Sequence, residues 1–242
     1  MLRIILGGAN MEGFPLGHES ANFKLLLPRD GQHAPVLPSE GINVADDQKP
    51  TVRTYTLRSY DAEKAELAVD FLLHEDHGPA SQWAISAKPG SQVGFAGPGA
   101  PKLPDPDADW FLFAGDMSAL PAISANIERL EPDAKGYAVL EIIDPADQQQ
   151  LAFPSAFEVD WVINPQPTAG NSPLIEAVKK LPWLEGTPGV WIAGESGCMR
   201  TLRRYFVDER GLGRKEFYAS GYWQMGMTED VHQVAKRAEK AD

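Results

Sequence analysis

Three side chains in the stretch VRTYTLRSYD, residues 52–61, have the chemistry to bind a ligand. An arginine pairs well with a phosphate, a tyrosine ring can lie against a flat aromatic ring, and a threonine offers a hydroxyl and an amide for hydrogen bonds. Arg53, Tyr55 and Thr56 occur in that order on an alternating, strand-like run. An equally consistent interpretation is that Arg53 and Tyr55 share an exposed strand face without any function.

A second candidate site lies in DFLLHEDHGPASQWA, residues 70–84. Its strand ends at His74, and the small residues Gly78, Ala80 and Ser81 follow. Their backbone amides can approach a pyrophosphate closely, just before a helix that we expect to begin at Ser81. The two histidines of this stretch have neither the spacing nor the neighbouring cysteine of a metal site. We expect them to have a structural or ligand-contacting role and expect no metal site in the chain.

The predicted secondary structure that positions these residues differs between the two halves of the chain. Residues 1–103 contain short alternating runs separated by Gly- and Pro-bearing turns, which predicts a small antiparallel β-barrel. The proline-rich stretch GPGAPKLPDPDAD can continue neither a strand nor a helix, so we place the domain boundary within it. Residues 104–242 alternate buried-strand runs with helical periods, which predicts an α/β domain with a mainly parallel sheet. This architecture suggests a flavin reductase, although architecture alone does not determine function.

Composition excludes several classes of partner. The chain has 242 residues, 43% of them hydrophobic, and a formal net charge of -12, which disfavours nucleic acid and anionic membranes. Cys198 is the single cysteine, so no intrachain disulfide forms and a cytoplasmic location is favoured. The N-terminal apolar run is too short for a signal peptide, and no run is long enough to span a membrane. We therefore expect a soluble cytoplasmic monomer.

Five motifs, in order along the chain, resemble the siderophore-interacting protein family, the FAD-dependent ferric-siderophore reductases of the ferredoxin-reductase superfamily. They are RTYT at 53–56, DFLLHEDHGPASQWA at 70–84, GDMSALPAI at 115–123, VWIAGESGCMRTLRRY at 190–205 and SGYWQMG at 220–226. The resemblance implies an FAD-binding barrel, a C-terminal domain that admits NADH or NADPH, and reduction of Fe(III) in a ferric siderophore. It also implies that the flavin carries the redox chemistry, so no side chain is expected to be catalytic.

The same resemblance assigns roles to individual residues. At the FAD it places Arg53, Tyr55 and Thr56 on the flavin, Asp70 and His74 along its edge, and Gly78, Ala80 and Ser81 at the pyrophosphate. At the NAD(P)H entrance it places Asp116, Ser118 and Ala119, with Glu195 and Ser196 on the nicotinamide side and Tyr222 and Trp223 towards the flavin. Lys102 in the interdomain linker is the candidate for substrate binding.

Structural roles remain open for several residues of the second domain. Asp116 to Ala119 also fit an ordinary capped helix, and Tyr222 and Trp223 also fit core packing. Arg200 and Arg203 are expected to pair with acidic neighbours on their helix surface rather than with substrate. Cys198 is expected to be a small core residue.

The chain departs from the family pattern at two places. Gln82 stands where the family usually has an arginine, so the FAD phosphates depend more on backbone amides. Gln224 and Met225 follow Trp223 where the family commonly has basic residues, which favours a hydroxamate or carboxylate-type siderophore over a trianionic catecholate. Asp144, at the end of the run YAVLEIID, could accept a hydrogen bond from a ribose hydroxyl and so favour NADH, unless Arg203 or Arg204 reaches a 2′-phosphate.

Two other functions stay open at this point. A flavoprotein that exchanges electrons with ferredoxin or another protein carrier would keep the same motifs. A non-catalytic module that only binds siderophore would not need the Arg-Tyr-Thr face.

Overall fold

The structure is a computed structural model, which describes residues 1–37, 44–73, 78–170 and 172–232. The chain divides into two compact units, Met1–Pro101 and Lys102–Asp242. Within the described ranges, no helix is long and apolar enough to cross a membrane. In the same ranges, no group of three or more His, Cys, Asp or Glu side chains is arranged to hold a metal ion.

Two three-stranded antiparallel sheets form the first unit. The strands are β1 (Leu2–Leu6), β2 (Asn22–Leu27), β3 (Thr51–Thr56), β4 (Ser59–Asp61), β5 (Glu66–Phe71) and β6 (Gly94–Ala96), in the orders β1-β5-β4 and β3-β2-β6. Alternate residues of β2 and β5, such as Phe23, Leu25 and Val69, are buried in one apolar core. Helix α1 (Pro79–Ser86) packs on this core through Ala80 and Ala84.

Strand β3 presents Arg53 and Tyr55 to the core side of its sheet. Arg53 lies opposite Leu25, and Tyr55 lies opposite Phe23. Residues directly opposite in an antiparallel pair point to the same face, and Leu25 and Phe23 are buried. Both residues are half-buried, so the face that they share is not a fully exposed one, and a role of either residue at a ligand stays a prediction.

The second unit is a parallel sheet with helices on both faces. Its elements are β7 (Trp110–Gly115), α2 (Leu120–Ile127), β8 (Lys135–Ile142), β9 (Ala156–Ile163), α3 (Pro173–Lys180), β10 (Pro188–Glu195), α4 (Ser196–Arg204) and β11 (Tyr218–Trp223), and a π-helical segment (Tyr205–Glu209) continues α4. The strand order is β11-β10-β7-β8-β9, and every pair is parallel. Residues of α3 and α4 pack on one face of the sheet and residues of α2 on the other. The predicted fold class, antiparallel β followed by α/β with a mainly parallel sheet, is confirmed.

The strand order reverses between β7 and β10. Chain connections leave in opposite directions from these two neighbours, which opens a crevice at their carboxyl ends, where doubly wound proteins bind ligands. Gly115 ends β7 and Gly194 lies next to the end of β10. A Cβ at Gly194, whose φ is +151, would come within 2.5 Å of the Asp116 carboxylate. Glycine is required there because the backbone must approach that side chain closely.

Candidate functional site

The first candidate region lies around β3, where an aromatic row begins. The ring centroid of Tyr55 is 4.4 Å from that of Phe71, which in turn is 5.9 Å from that of Trp83 on α1. Arg53 donates from Nη1 to the carbonyl of Val52 at 2.8 Å. Thr56 is buried at the end of the strand. The Phe71 ring thus packs against one side of the Tyr55 ring. Tyr55 and Arg53 lie on the same face of the strand.

Asp70 has a partner that the sequence pattern did not indicate. Arg3, opposite Asp70 on the neighbouring strand β1, donates to its carboxylate with Nε at 2.6 Å and Nη2 at 2.8 Å. The side chain of Asp70 is 1% exposed, so this two-bond pair compensates its burial. A contact of Asp70 with a flavin edge stays a prediction. His74 lies outside the described residues.

The N-terminus of α1 offers the backbone amides of its first turn as candidate donors to a phosphate group. The helix begins at Pro79, two positions earlier than expected, after the N-cap residue Gly78, and no side chain caps it. The amides of Ala80 and Ser81 in the first turn have no acceptor within the helix. A Cβ at Gly78 would meet nothing within 4 Å among the described residues. Ser81 also fixes the turn, because its hydroxyl donates to the carbonyl of Leu72 at 3.1 Å.

The second candidate region is the crevice of the parallel sheet, where Asp116 accepts four hydrogen bonds. Its Oδ1 accepts from the amide and the hydroxyl of Ser118, at 2.9 and 2.5 Å. Its Oδ2 accepts from the amide of Glu195 at 2.7 Å and from the indole Nε1 of Trp223 at 2.8 Å. Burial raises the pKa of Asp116, and these donors oppose the rise. The carboxylate therefore joins the carboxyl ends of β7, β10 and β11.

Glu195 and Ser196 also make contacts within the chain. Glu195 is buried and caps α4, because its Oε2 accepts from the amide of Cys198 at 2.9 Å. Ser196 donates from its hydroxyl to the carbonyl of Trp223 at 2.9 Å. The structure thus brings Asp116, Ser118 and Trp223 together with these two residues, which are far apart in sequence. A role of Glu195 and Ser196 on the nicotinamide side stays a prediction.

Tyr222 and Cys198 lie in apolar surroundings. Tyr222 packs against the core on the α2 face, with its ring centroid 6.4 Å from that of Trp191. The pKa of Tyr222 is raised well above its usual range, mainly by burial and to a smaller extent by the neighbouring Tyr218. Burial likewise raises the pKa of the Cys198 thiol to about 12. Cys198 is 3% exposed and belongs to the core, as expected.

The cations of α4 differ from expectation. Arg203 donates to the carbonyl of Ala219 at 2.7 Å, and its guanidinium lies 5.7 Å from the Phe217 ring centroid. Within the part of the chain that the structure describes, neither Arg200 nor Arg203 forms an ion pair. The expected pairing with acidic neighbours is wrong, because Arg203 finds a backbone acceptor on β11. Lys102 is exposed, and its carbonyl accepts from the indole of Trp191 at 2.7 Å.

Two family models match the chain and together span most of its length. Residues 1–102 match the Siderophore-interacting FAD-binding domain, and residues 108–226 match Siderophore-interacting protein. The chain belongs to the siderophore-interacting protein family. Its first unit is accordingly an FAD-binding domain, and the family predicted from the motifs is confirmed.

Relatives in this family include named reductases. The ferric vibriobactin reductase ViuB of Vibrio cholerae is 34% identical over 96% of this chain and 87% of its own length. The NADPH-dependent ferric-chelate reductase of Escherichia coli is 31% identical over 91% of this chain and 86% of its own length. The crystal structure of the siderophore-interacting protein SipS from Aeromonas hydrophila superposes with a TM-score of 0.82, at 34% identity, and covers 99% of this chain and 92% of SipS.

Proposed function

We propose that this protein is an FAD-dependent ferric-siderophore reductase, which passes electrons from NADH or NADPH to Fe(III) held in a siderophore. The observation that carries the proposal is the FAD-binding domain, in which Arg53 and Tyr55 share a strand face and no described side chain caps the N-terminus of α1. Two relatives that cover most of the chain are named as a ferric vibriobactin reductase and an NADPH-dependent ferric-chelate reductase, which supports the same reaction. Residues 1–103 would form the FAD domain and residues 104–242 the NAD(P)H domain.

The residues of the first unit would hold the cofactor. The Arg53 guanidinium supplies a positive charge for a phosphate, and the first-turn amides of Ala80 and Ser81 supply further donors in place of the family arginine that Gln82 replaces. The Tyr55 ring, held by Phe71, offers a stacking face. Bound FAD supplies both hydride chemistry towards a nicotinamide and single-electron chemistry towards iron. The protein therefore needs no side chain as an acid, a base or a nucleophile.

The overall reaction balances without a further reactant. One NAD(P)H gives up two electrons, which reduce two Fe(III) chelates to Fe(II), and one proton is released. Fe(II) has a lower charge and ranks low among divalent transition metals in its affinity for ligands, so the chelate releases it more easily. The lone cysteine favours a cytoplasmic site for this release. The chain would act there as a monomer.

The crevice of the second unit also supports a second candidate function. A dinucleotide would use backbone amides at the ends of β7 and β10, yet the amides of Ser118 and Glu195 already bind the Asp116 carboxylate. A reductase that receives its electrons from a protein carrier such as ferredoxin would not need these amides. The remaining candidates for the nicotinamide contact are Ala119 and Ser196, and the candidates for a flavin contact are Tyr222 and Trp223.

An anaerobic titration of the purified protein separates these functions. We expect a yellow protein whose flavin absorbance bleaches on addition of NADH or NADPH, and recovers on addition of a ferric siderophore while an Fe(II) indicator develops colour. Bleaching by reduced ferredoxin but by neither nicotinamide would establish the second candidate instead. A protein that binds the ferric siderophore but retains no flavin would contradict both and leave only a binding module.

A further inference from the structure

We infer that the α/β unit discriminates between the two nicotinamide dinucleotides and accepts NADH in preference to NADPH, with Asp144 as the residue that determines this specificity. The inference rests on the proposed function, because it concerns the donor that the reductase oxidises. NADPH differs from NADH only by a phosphate on the 2′-hydroxyl of its adenosine ribose. Specificity therefore depends on the groups that meet this position.

The topology places the adenosine half of a dinucleotide over the ends of β8 and β9. A dinucleotide in a doubly wound sheet crosses the carboxyl edge from the point where the strand order reverses. Here that point lies between β7 and β10, and β8 and β9 follow β7 on one side. In related folds an acidic residue after the second strand accepts from the ribose 2′-hydroxyl in NAD-dependent proteins, while an arginine nearby binds the 2′-phosphate in NADP-dependent ones.

Asp144 occupies the acidic position in this chain. It follows the end of β8, is exposed, and accepts from the amide of Ala146 at 2.8 Å through Oδ1. This bond caps the short 3₁₀ turn Pro145–Asp147 and fixes the direction of the carboxylate. The other oxygen, Oδ2, has no hydrogen-bond partner within the described residues and can accept from a ribose hydroxyl.

The chain segment around Asp144 carries only negative charges. Residues 136–178, which include the ends of β8 and β9, contain six Asp or Glu and not one Lys, Arg or His. Glu141, near the end of β8, is buried and accepts hydrogen bonds from Asn164, which follows β9, and from Ser172. A phosphate with a charge of roughly -1.5 to -2 would face these carboxylates without a counter-charge from this segment.

The four cations that end α3 and α4 lie towards the opposite edge of the sheet. Lys179 and Lys180 end α3, and Arg203 and Arg204 end α4. Both helices run back from the carboxyl edge, and with a rise of about 1.5 Å per residue the end of α4 is roughly 12 Å from its start. Arg203 is in addition held by the carbonyl of Ala219, so it does not turn towards a 2′-phosphate.

The experiment compares binding and electron transfer for both dinucleotides. Calorimetric titration with ADP-ribose and with its 2′-phosphate derivative measures binding of the adenosine half without any redox reaction. We expect tighter binding of ADP-ribose by about 10- to 150-fold, the effect of one hydrogen bond to a charged group. Anaerobic bleaching of the flavin should show the same preference for NADH. The Escherichia coli relative, by contrast, is named for NADPH.

Two variants test the assignment to Asp144. Asp144→Asn keeps an acceptor for the Ala146 amide but removes the charge, and should reduce the preference for ADP-ribose at least several-fold. Asp160→Asn is the matched control, because it removes one exposed charge from the middle of β9 and should leave the preference unchanged.

The outcomes of these measurements are distinct. Equal or tighter binding of the 2′-phosphate compound would overturn the inference, and an unchanged ratio in Asp144→Asn would overturn the role of Asp144. Failure of both dinucleotides to bleach the flavin would instead overturn the proposed nicotinamide donor, and ADP-ribose binding would still report on the site.

Discussion

At the scale of single residues, Asp70 and Arg53 of the FAD-binding domain have different partners. Asp70 is almost fully buried and is neutralised by two bonds from Arg3, which makes this pair part of the architecture. Arg53 lies on the core side of β3, opposite the buried Leu25, and its Nη1 donates to the backbone carbonyl of Val52. An arginine on such a face is well placed to offer its guanidinium to a ligand phosphate.

We therefore expect Arg53→Ala to release FAD. Loss of one hydrogen bond to a charged group costs about 1.5–3 kcal/mol, or roughly a 10- to 150-fold weaker affinity. The flavin-to-protein absorbance ratio after dialysis measures the effect. Lys64→Ala removes one cation from the turn between β4 and β5 and serves as the matched control. Undiminished flavin occupancy in Arg53→Ala would remove this residue from the FAD site.

At the scale of elements, Asp116 connects three parallel strands. Its carboxylate binds the loop after β7, the amide of Glu195 at the end of β10, and the indole of Trp223 at the end of β11. Trp223 is 107 residues away from Asp116 in sequence. The network therefore stabilises the sheet edge where the strand order reverses, whatever ligand binds beside it.

Trp223→Phe should destabilise the fold in a pH-dependent manner. The change removes one donor to a charged acceptor, so we expect a loss of about 1.5–3 kcal/mol in the free energy of unfolding near neutral pH. Burial already raises the folded-state pKa of Asp116, and loss of a donor raises it further. The stability contributed by a group with a raised pKa is complete below its unfolded pKa and declines as pH rises through the folded pKa. The gap between variant and wild type should therefore widen as pH rises from the acid range.

Chemical denaturation over a series of pH values measures this gap. Trp161→Phe is the control, because Trp161 is half-buried in the same unit and its indole has no hydrogen bond within the described residues. A gap that stays constant with pH would show that Trp223 acts through packing alone and that its bond to the Asp116 carboxylate contributes nothing.

Local sequence patterns account for the fold class and for the positions of the strand ends. Alternation, glycine and proline mark the strands, and Gly115 and Gly194 mark the crevice, because these features depend on a few neighbouring residues. The residues that pair across neighbouring strands depend instead on the topology of the sheet. Arg3 and Asp70 are 67 residues apart, and no local pattern predicts their pairing. Helix α1 begins two positions before the expected Ser81, because Pro79 is a favoured first helical residue.

The capping role of Glu195 at the crevice also could not be predicted from the sequence. Glu195 is an unusual N-cap residue, since the usual caps are Ser, Thr, Asp and Asn, and so it resembled a ligand-binding residue in the sequence. The structure shows that its carboxylate caps α4. Ser172 has the usual chemistry of a cap and begins α3, as its sequence indicates.

At the scale of the whole molecule, charge sets which chelates approach easily. The formal net charge is -12, and the tail after Trp223 continues with the uncharged Gln224 and Met225. A negative protein repels anions over a distance of about 8 Å at physiological ionic strength. Lys102, exposed at the start of the second unit, is the cation that we propose for contact with the substrate.

We expect a neutral or cationic ferric hydroxamate to be reduced faster than a trianionic ferric catecholate. Salt screens the field of the protein, so the rate with the catecholate should rise with ionic strength and the difference between the chelates should narrow. Stopped-flow oxidation of the photoreduced flavin by each chelate, at low and high salt, measures both effects without a nicotinamide. Lys102→Ala should slow the catecholate further, whereas Lys215→Ala, an exposed cation before β11, should have little effect. If instead the catecholate reacts faster and salt slows it, the protein has a basic substrate pocket, and the inference from Gln224 and Met225 is wrong.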